Sequence, residues 1–313
     1  MLRRNPLDKE LLQKLYHEQG LTQQAIANRL GVSPSHISRE MKRLGIPIRT
    51  PSEYHNRYPK YDFDGTDMDK AYLIGFRTGD WYVRQAAGGT NFCISVCSNK
   101  PAQLQHFYAC FADYGHIAVT QNVGPRHDET RLRAYLNASW DFLVPNPHAI
   151  PDWILADDDL FLSFWAGYTD ADGTIGYRTF IYRGVPKVSK WAQWNTKKDK
   201  QLLQQGRQRL HEMGFRPSNI MSAKRQPDTR HFGIYNYTGL YKFLTAILPL
   251  LRHADRRAQA IKTLEFVKEH YIPPDASGQY PCPYCDFVGT SPGSLQVHLS
   301  RWCQYKPTPI SKQ

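Results

Sequence analysis

Apolar runs long enough to cross a bilayer are absent from this 313-residue chain. None approaches the ~18 consecutive apolar residues that a spanning helix needs. Nor does an apolar stretch follow the charged opening Met1–Pro6, so no secretory signal is visible. An intracellular protein, cytoplasmic or nucleoid-associated and without membrane contact, is the expectation. Cysteine is scarce, six in all, and its placement argues against a disulfide frame: three fall in residues 93–110 and three cluster near the C-terminus at metal-like spacing. Acid is outnumbered, with 28 Asp plus Glu against 40 Lys plus Arg, a formal charge of +12. What is there suffices for folded cores: 41% apolar and 13% aromatic residues exclude wholesale disorder. A prior of ~150 residues per domain suggests about two domains.

The charge is unevenly spread. It is +5 over residues 1–50, −7 over 51–175, +13 over 176–271 and +1 over 272–313. A +13 block is a footprint for a polyanion, since each phosphate neutralised releases counterions, although a solvated basic surface would read the same way.

Residues 7–45 read as three short helices. Leu11, Leu12, Leu15 and Tyr16 form one stripe that Gly20 stops. Thr22 caps a second helix carrying Ala25, Ile26 and Leu30; after Gly31, Ser33 caps a third with Pro34 in its first turn and Ile37 and Met41 inward. This spacing is a helix-turn-helix over residues 1–50. Residues 51–66 and 272–279, rich in Pro, read as linkers, leaving a small module at 280–313. Between the linkers, residues 67–150 and 151–271 repeat one grammar with a period near 92: an acidic start, an apolar helix ending in Asp, strands, an amphipathic helix near 101–113 or 199–213, more strands and a helix. Strand-like runs include Phe92–Ser98, His116–Gly124, Arg131–Leu136, Ile220–Ala223 and Phe232–Tyr237. Cys93 and Cys97 are expected in the core, as are Met213 and Phe215, and Gly88-Gly89 fits a hairpin turn. Asp157–Asp159 caps the second motif helix.

The paired segments Leu73–Trp81 and Trp165–Gly173 each place small residues four apart, Gly75 with Gly79 and Gly167 with Ala171. A helix face without side chains lets two backbones approach closely. If the stripes face each other, Asp80 and Asp172 meet at a pseudo-two-fold axis. Helix C-termini are already partly negative, so two carboxylates there repel unless a cation lies between them. Magnesium suits such a site, and metals held by two carboxylates activate water and neutralise the oxygens of a breaking phosphodiester. The bland alternative is a pair of exposed helix-end acids.

The second segment, Ala166-Gly167 through Asp170-Ala171-Asp172-Gly173, closely resembles the LAGLIDADG motif of homing endonucleases. The first resembles a degenerate copy that keeps Leu73, Gly75, Gly79 and Asp80. The resemblance covers roughly residues 67–271. It implies an α+β fold: a monomer of two pseudo-symmetric αββαββα halves whose curved sheets form a saddle over double-stranded DNA. It also implies magnesium, catalysis by Asp80 and Asp172, and cleavage of both strands across the minor groove. Three departures stand out. Thr78 replaces the first motif Asp that Asp170 keeps; Trp81 stands where Gly is expected as a left-handed cap; and the basic residue near the end of each half has only Arg256 as a loose match. Unequal strand rates or nicking follow as an expectation. In the more basic second half, Lys187, Lys190, Lys224, Arg225 and Arg230 are candidate DNA contacts, each otherwise plain surface.

Cys282-x2-Cys285-x12-His298-x4-Cys303 has zinc spacing and resembles a zinc finger, with Tyr280, Phe287 and Leu295 as its core. Its base-reading positions fall at Ser291, Ser294 and Val297, which offer no bidentate contact, so weak sequence readout, or a packing or protein-contact role, is expected. In the helix-turn-helix, Ser35, His36 and Arg39 face outward toward base edges and Arg43 toward a phosphate, with Arg49 following into a minor groove; a protein-interaction module is the alternative. The leading reading is therefore a homing-type site-specific endonuclease. Its rivals are a catalytically inactive DNA-binding regulator and an RNA-binding intron maturase on the same scaffold. An intein is disfavoured, since Met1 and Lys312-Gln313 lack the splicing nucleophile and terminal Asn.

Overall fold

The computed structural model describes residues 7–48, 58–85, 91–125, 127–145, 148–223, 226–271, 273–275 and 277–305. Lys224, Arg225, Arg49 and the Gly88-Gly89 turn lie outside them. The described residues form three separate apolar cores.

The first core joins α1 (Lys9–Gln13), which runs into a π-helical turn (Lys14–Glu18), with α2 (Gln23–Leu30) and α3 (Pro34–Arg43). The caps are as the sequence predicts: the Thr22 hydroxyl accepts the Ala25 N–H at 3.0 Å and Ser33 that of His36 at 3.3 Å, each satisfying an amide that the helix leaves unpaired. Gly31 turns the chain at φ 66°, a left-handed conformation that suits glycine. Leu12, Leu15, Tyr16, Ile26, Ile37 and Met41 are buried together; Leu11, expected with them, lies outside at 40% exposure.

The second core holds residues from Ala71 to Val267. The chain runs α4 (Asp67–Gly79), β1 (Tyr82–Gln85), β2 (Phe92–Ser98), α5 (Pro101–Phe111), β3 (His116–Val123) and β4 (Glu129–Leu136), then a 3-10 turn (Ala138–Leu143) and α6 (Asp152–Leu155). The second half repeats it: α7 (Asp158–Asp172), β5 (Thr174–Tyr182), β6 (Val185–Thr196), α8 (Lys200–Glu212), β7 (Met221–Ala223), β8 (Gln226–Ile234), α9 (Tyr237–Ile247) and α10 (Ala254–His270). Both antiparallel sheets have the same strand order, β1-β2-β4-β3 and β5-β6-β8-β7. The halves thus share one α+β topology, although the first closes with a 3-10 turn where the second has full helices. The second strand run predicted near 232–237 is displaced: the strand occupies Gln226–Ile234, and Tyr237 already begins α9, capped by Asn236.

Alternation along the strands separates a core face from an open one. Phe92, Ile94 and Val96 of β2 and Leu132, Ala134 and Leu136 of β4 are buried. Cys93 and Cys97 therefore lie on the open face, Cys97 opposite Arg131, which corrects their expected core placement. Asp157 caps α7 by accepting the N–H groups of Asp159 and Leu160, and Thr66 caps α4 through a reciprocal box with Asp69. No helix among the described residues is long and apolar enough to cross a membrane.

The third core belongs to the terminal module: β9 (Tyr280–Pro281), β10 (Val288–Gly289) and α11 (Pro292–Arg301). Tyr280 and Leu295 are buried as expected. Phe287 is not; at 37% exposure it stacks on the His298 ring, centroids 4.0 Å apart.

Candidate active site and nucleic-acid interface

The helices α4 and α7 meet backbone to backbone. A Cβ on Gly75 would run into the Phe164 carbonyl and come within 3.0 Å of the Tyr168 nitrogen; one on Gly167 would run into the Tyr72 carbonyl and come within 2.8 Å of the Phe76 nitrogen. The contact is reciprocal, as a pseudo-two-fold pairing requires. It carries the two C-terminal ends together. A Cβ on Gly79 would lie 3.1 Å from the Asp172 carboxyl, so Asp172 rests against the residue that precedes Asp80. Both acids keep an open side toward solvent. Crowding by the surrounding protein raises the proton affinity of Asp80, and that of Asp172 to about 6, where the Asp80 charge adds a second push.

Polar neighbours hold the pair. Gln103 of α5 donates to Asp80 Oδ2 at 2.9 Å, and its carbonyl oxygen lies 3.0 Å from His253 Nε2 at the start of α10. Arg256 donates from Nε to the Asp170 carbonyl at 3.4 Å, and its charge lowers the proton affinity of both motif acids. The loose sequence match at Arg256 is thus placed beside the acids. Lys100 acts on Asp80 in the same sense, whereas Asp199, which also precedes the middle helix of its half, pushes Asp172 upward.

The departures from the motif have structural counterparts. Asp170 is buried; its Oδ2 accepts the Tyr72 hydroxyl at 2.7 Å and the Arg252 and His253 N–H groups at 2.7 and 3.0 Å, tying α7 to the start of α10. Among the described residues, Thr78 bonds within its own helix, to the Ile74 carbonyl. In the first half the tie is made by a donor: buried Arg77 bonds the Leu143 and Trp81 carbonyls. The glycine expectation is corrected. Gly173 is extended at φ −72°, and small size is needed there because a Cβ would sit 2.7 Å from the Thr169 backbone. Trp81 is buried against Phe76 in the first-half core.

The open faces of both sheets carry basic and polar side chains. On the first, Arg84, Arg131 and Arg133 share a face with Tyr82, Ser95, His116, Thr120 and Tyr135. On the second, Arg178 and Lys187 share one with Gln193, Asn195 and His231. The arginines were missed by a reading that followed net charge, which is negative over the first half; the alternation of Arg131-Leu132-Arg133-Ala134-Tyr135-Leu136 carried the signal. Lys187 is on the open face. Lys190 points the other way, its ammonium 3.8 Å from the centroid of the Tyr237 ring, and burial lowers its pKa. Arg230 shares the parity of buried Phe232 and Ile234 and bonds the Ser222 hydroxyl.

In α3, Ser35 and Arg39 are exposed on one face, and Arg39 Nε bonds the Ser35 carbonyl. His36 is half-buried with Nε2 shielded, and Arg43 is gripped by Glu40 at 2.8 Å, so its charge is matched within the helix. In the terminal module, Cys282, Cys285, His298 and Cys303 place four ligand atoms within 4.8 Å of one another. The Cys282–Cys303 sulfur separation is 3.7 Å. A tetrahedron with ~2.3 Å metal–sulfur bonds has an edge of about that length. The Ser291 and Ser294 hydroxyls are taken up by the cap of α11.

A helix-turn-helix domain family model matches residues 7–44. No curated protein matches the chain by sequence. Among solved structures the chain is similar to the homing endonuclease I-DmoI, at 16% identity and a TM-score of 0.42 over 58% of this chain and 96% of that one. It is also similar to I-SmaMI bound to an uncleaved DNA target in the presence of calcium, at 10% identity and a TM-score of 0.43 over 64% and 92%. A third similarity is to the homing endonuclease I-CvuI in complex with a DNA target, at 23% identity and a TM-score of 0.30 over 36% and 68%.

Proposed function

We propose that this chain is a site-specific endonuclease of double-stranded DNA, of the homing type, acting as a monomer because one chain supplies both halves. The observation that carries the reading is the convergence of Asp80 and Asp172 at the ends of two backbone-packed helices, between open sheet faces that bear arginine and lysine. The donor set fits a divalent cation: burial, and for Asp172 the neighbouring Asp80 charge as well, raises the proton affinity of both carboxylates where helix-end carbonyls add negative charge. Asp80 and Asp172 would hold magnesium, which when bound supplies Lewis acidity for water activation and for the leaving oxygen. Gln103 orients the Asp80 carboxylate, Arg256 brings positive charge to where a phosphate must sit, and Asp170 fixes the geometry from behind. Arg84, Arg131, Arg133, Arg178 and Lys187 are proposed to grip the backbone on either side. Cys282, Cys285, His298 and Cys303 would hold zinc, and the two end modules add affinity by linkage.

The test is cleavage of a plasmid library carrying randomised inserts. Linear product is expected with magnesium, none with calcium or chelator, and none from Asp172→Asn. Tight duplex binding without cleavage under magnesium would leave a DNA-binding regulator instead, and preference for structured RNA over duplex would favour the maturase.

A further inference from the structure

The chain between the helix-turn-helix and α4 is fastened to the first half from Tyr58 onward. Tyr61 N–H bonds the Tyr114 carbonyl at 2.9 Å, Asn137 donates to Asp62 at 2.7 Å, Phe63 N–H bonds the Ser139 hydroxyl at 2.8 Å, and the Tyr114 hydroxyl bonds Asp64 at 2.6 Å. At the leading end of this strap the Tyr58 ring lies flat on His116, centroids 3.7 Å apart at 13°. His116 is in turn parallel to Tyr135, 6.5 Å away at 10°. Register places both on the open face: His116 pairs with Tyr135, which alternates with buried Ala134 and Leu136. Three rings therefore stack across the open face at β3, the edge strand farthest in order from β1 and the motif acids. Tyr58 and Tyr135 stay 45% and 38% exposed.

We propose that the helix-turn-helix occupies duplex DNA directly flanking the segment covered by the first sheet, with the Tyr58–His116–Tyr135 stack holding the chain on that side. The placement rests on the DNA-binding reading above. The tether enforces it: from Ile48 to Tyr58 the chain has ten peptide steps, which reach at most about 35 Å, the rise of about ten base pairs. A chain that leaves the open face at the β3 edge delivers its N-terminal module to that face. The exposed Ser35–Arg39 surface of α3 is then the part that meets DNA. The opposite end of the chain differs. Tyr271, after α10, stacks on Tyr241 of α9 at 4.3 Å, so the route to the terminal module leaves from the helix layer of the second half.

The experiment selects bound duplexes from a randomised pool with the full chain in calcium, then maps hydroxyl-radical protection. Arg39→Ala, checked by Ser35→Glu on the same exposed face, is expected to lose protection on one flank only. That flank should abut the segment weakened by Arg131→Ala, lie opposite the one weakened by Arg178→Ala, and begin within about ten base pairs of it. Tyr58→Ala should blur the flank while protection under both sheets persists, and Tyr58→Phe should restore it. A lost flank abutting the Arg178 segment, no flank change in Arg39→Ala and Ser35→Glu, or an intact flank in Tyr58→Ala would each overturn the proposal. Failure to select any duplex would bring down the DNA reading itself.

Discussion

At the scale of single residues, burial decides which ionisable groups matter. His106 of α5 is enclosed by Phe76 and Trp81, with its Nε2 3.3 Å from the Tyr72 hydroxyl and 3.6 Å from Cys110 Sγ. Burial pushes its pKa down to about 3, with the charges of His253 and Arg252 adding to the effect. The folded state therefore resists protonating an imidazole that in the unfolded chain titrates near ~6.5. The stability that neutral His106 preserves is complete above that value and is lost as pH falls toward 3, a loss of about 5 kcal/mol at most. Burial also lifts Asp170 to about 6, which works in the opposite direction, since that acid gains stability by protonating. The difference between wild type and His106→Gln isolates the imidazole. Denaturant midpoints measured from pH 7 to 4 should fall more steeply for wild type; parallel slopes would contradict the assignment.

At the scale of elements, glycines separate two kinds of requirement. Gly167 sits where a methyl group would meet the Tyr72 carbonyl and the Phe76 nitrogen, backbone atoms that cannot yield without parting α4 from α7. Gly167→Ala should therefore cost about 3 kcal/mol or more by denaturant unfolding. Gly184, in the β5–β6 turn at φ 76°, has nothing within 4 Å, so alanine there meets only backbone strain of about 1 kcal/mol. The described core of the terminal module is little more than Tyr280 and Leu295, so on the proposed reading its stability depends on a metal held by Cys282, Cys285, His298 and Cys303. Cobalt is expected to give thiolate charge-transfer absorption with wild type, reduced in Cys285→Ser; its absence would remove the metal from that module.

At the scale of the whole molecule, two halves of one topology end in unequal surroundings. Asp170 in one motif is matched by Thr78 in the other, Arg256 serves the acids from the second half alone, and Lys100 faces Asp80 where Asp199 faces Asp172. Equal cutting of the two strands would be surprising in such a frame. Strand-resolved time courses on one selected site should show one strand nicked first, with Asp80→Asn and Asp172→Asn affecting the two strands unequally. Identical rates throughout would show that the asymmetry is without consequence.

Much was legible in local grammar. Caps at Thr22, Ser33 and Asp157, the four-residue spacing of Gly75 with Gly79 and Gly167 with Ala171, and the cysteine–histidine spacing near the C-terminus are short-range patterns whose geometry the backbone enforces by itself. Alternation in residues 131–136 was legible too, but its arginines were hidden by the acid elsewhere in the same half. Tertiary structure alone decided the rest: that Cys93 faces outward, that Lys190 covers Tyr237, that Gln103 reaches Asp80, and that Arg77 bonds the Leu143 carbonyl of a distant turn. Strand parity depends on register between segments far apart in the chain, and a side-chain hydrogen bond depends on where two elements cross. Neither is encoded within the few residues over which a propensity or a cap acts.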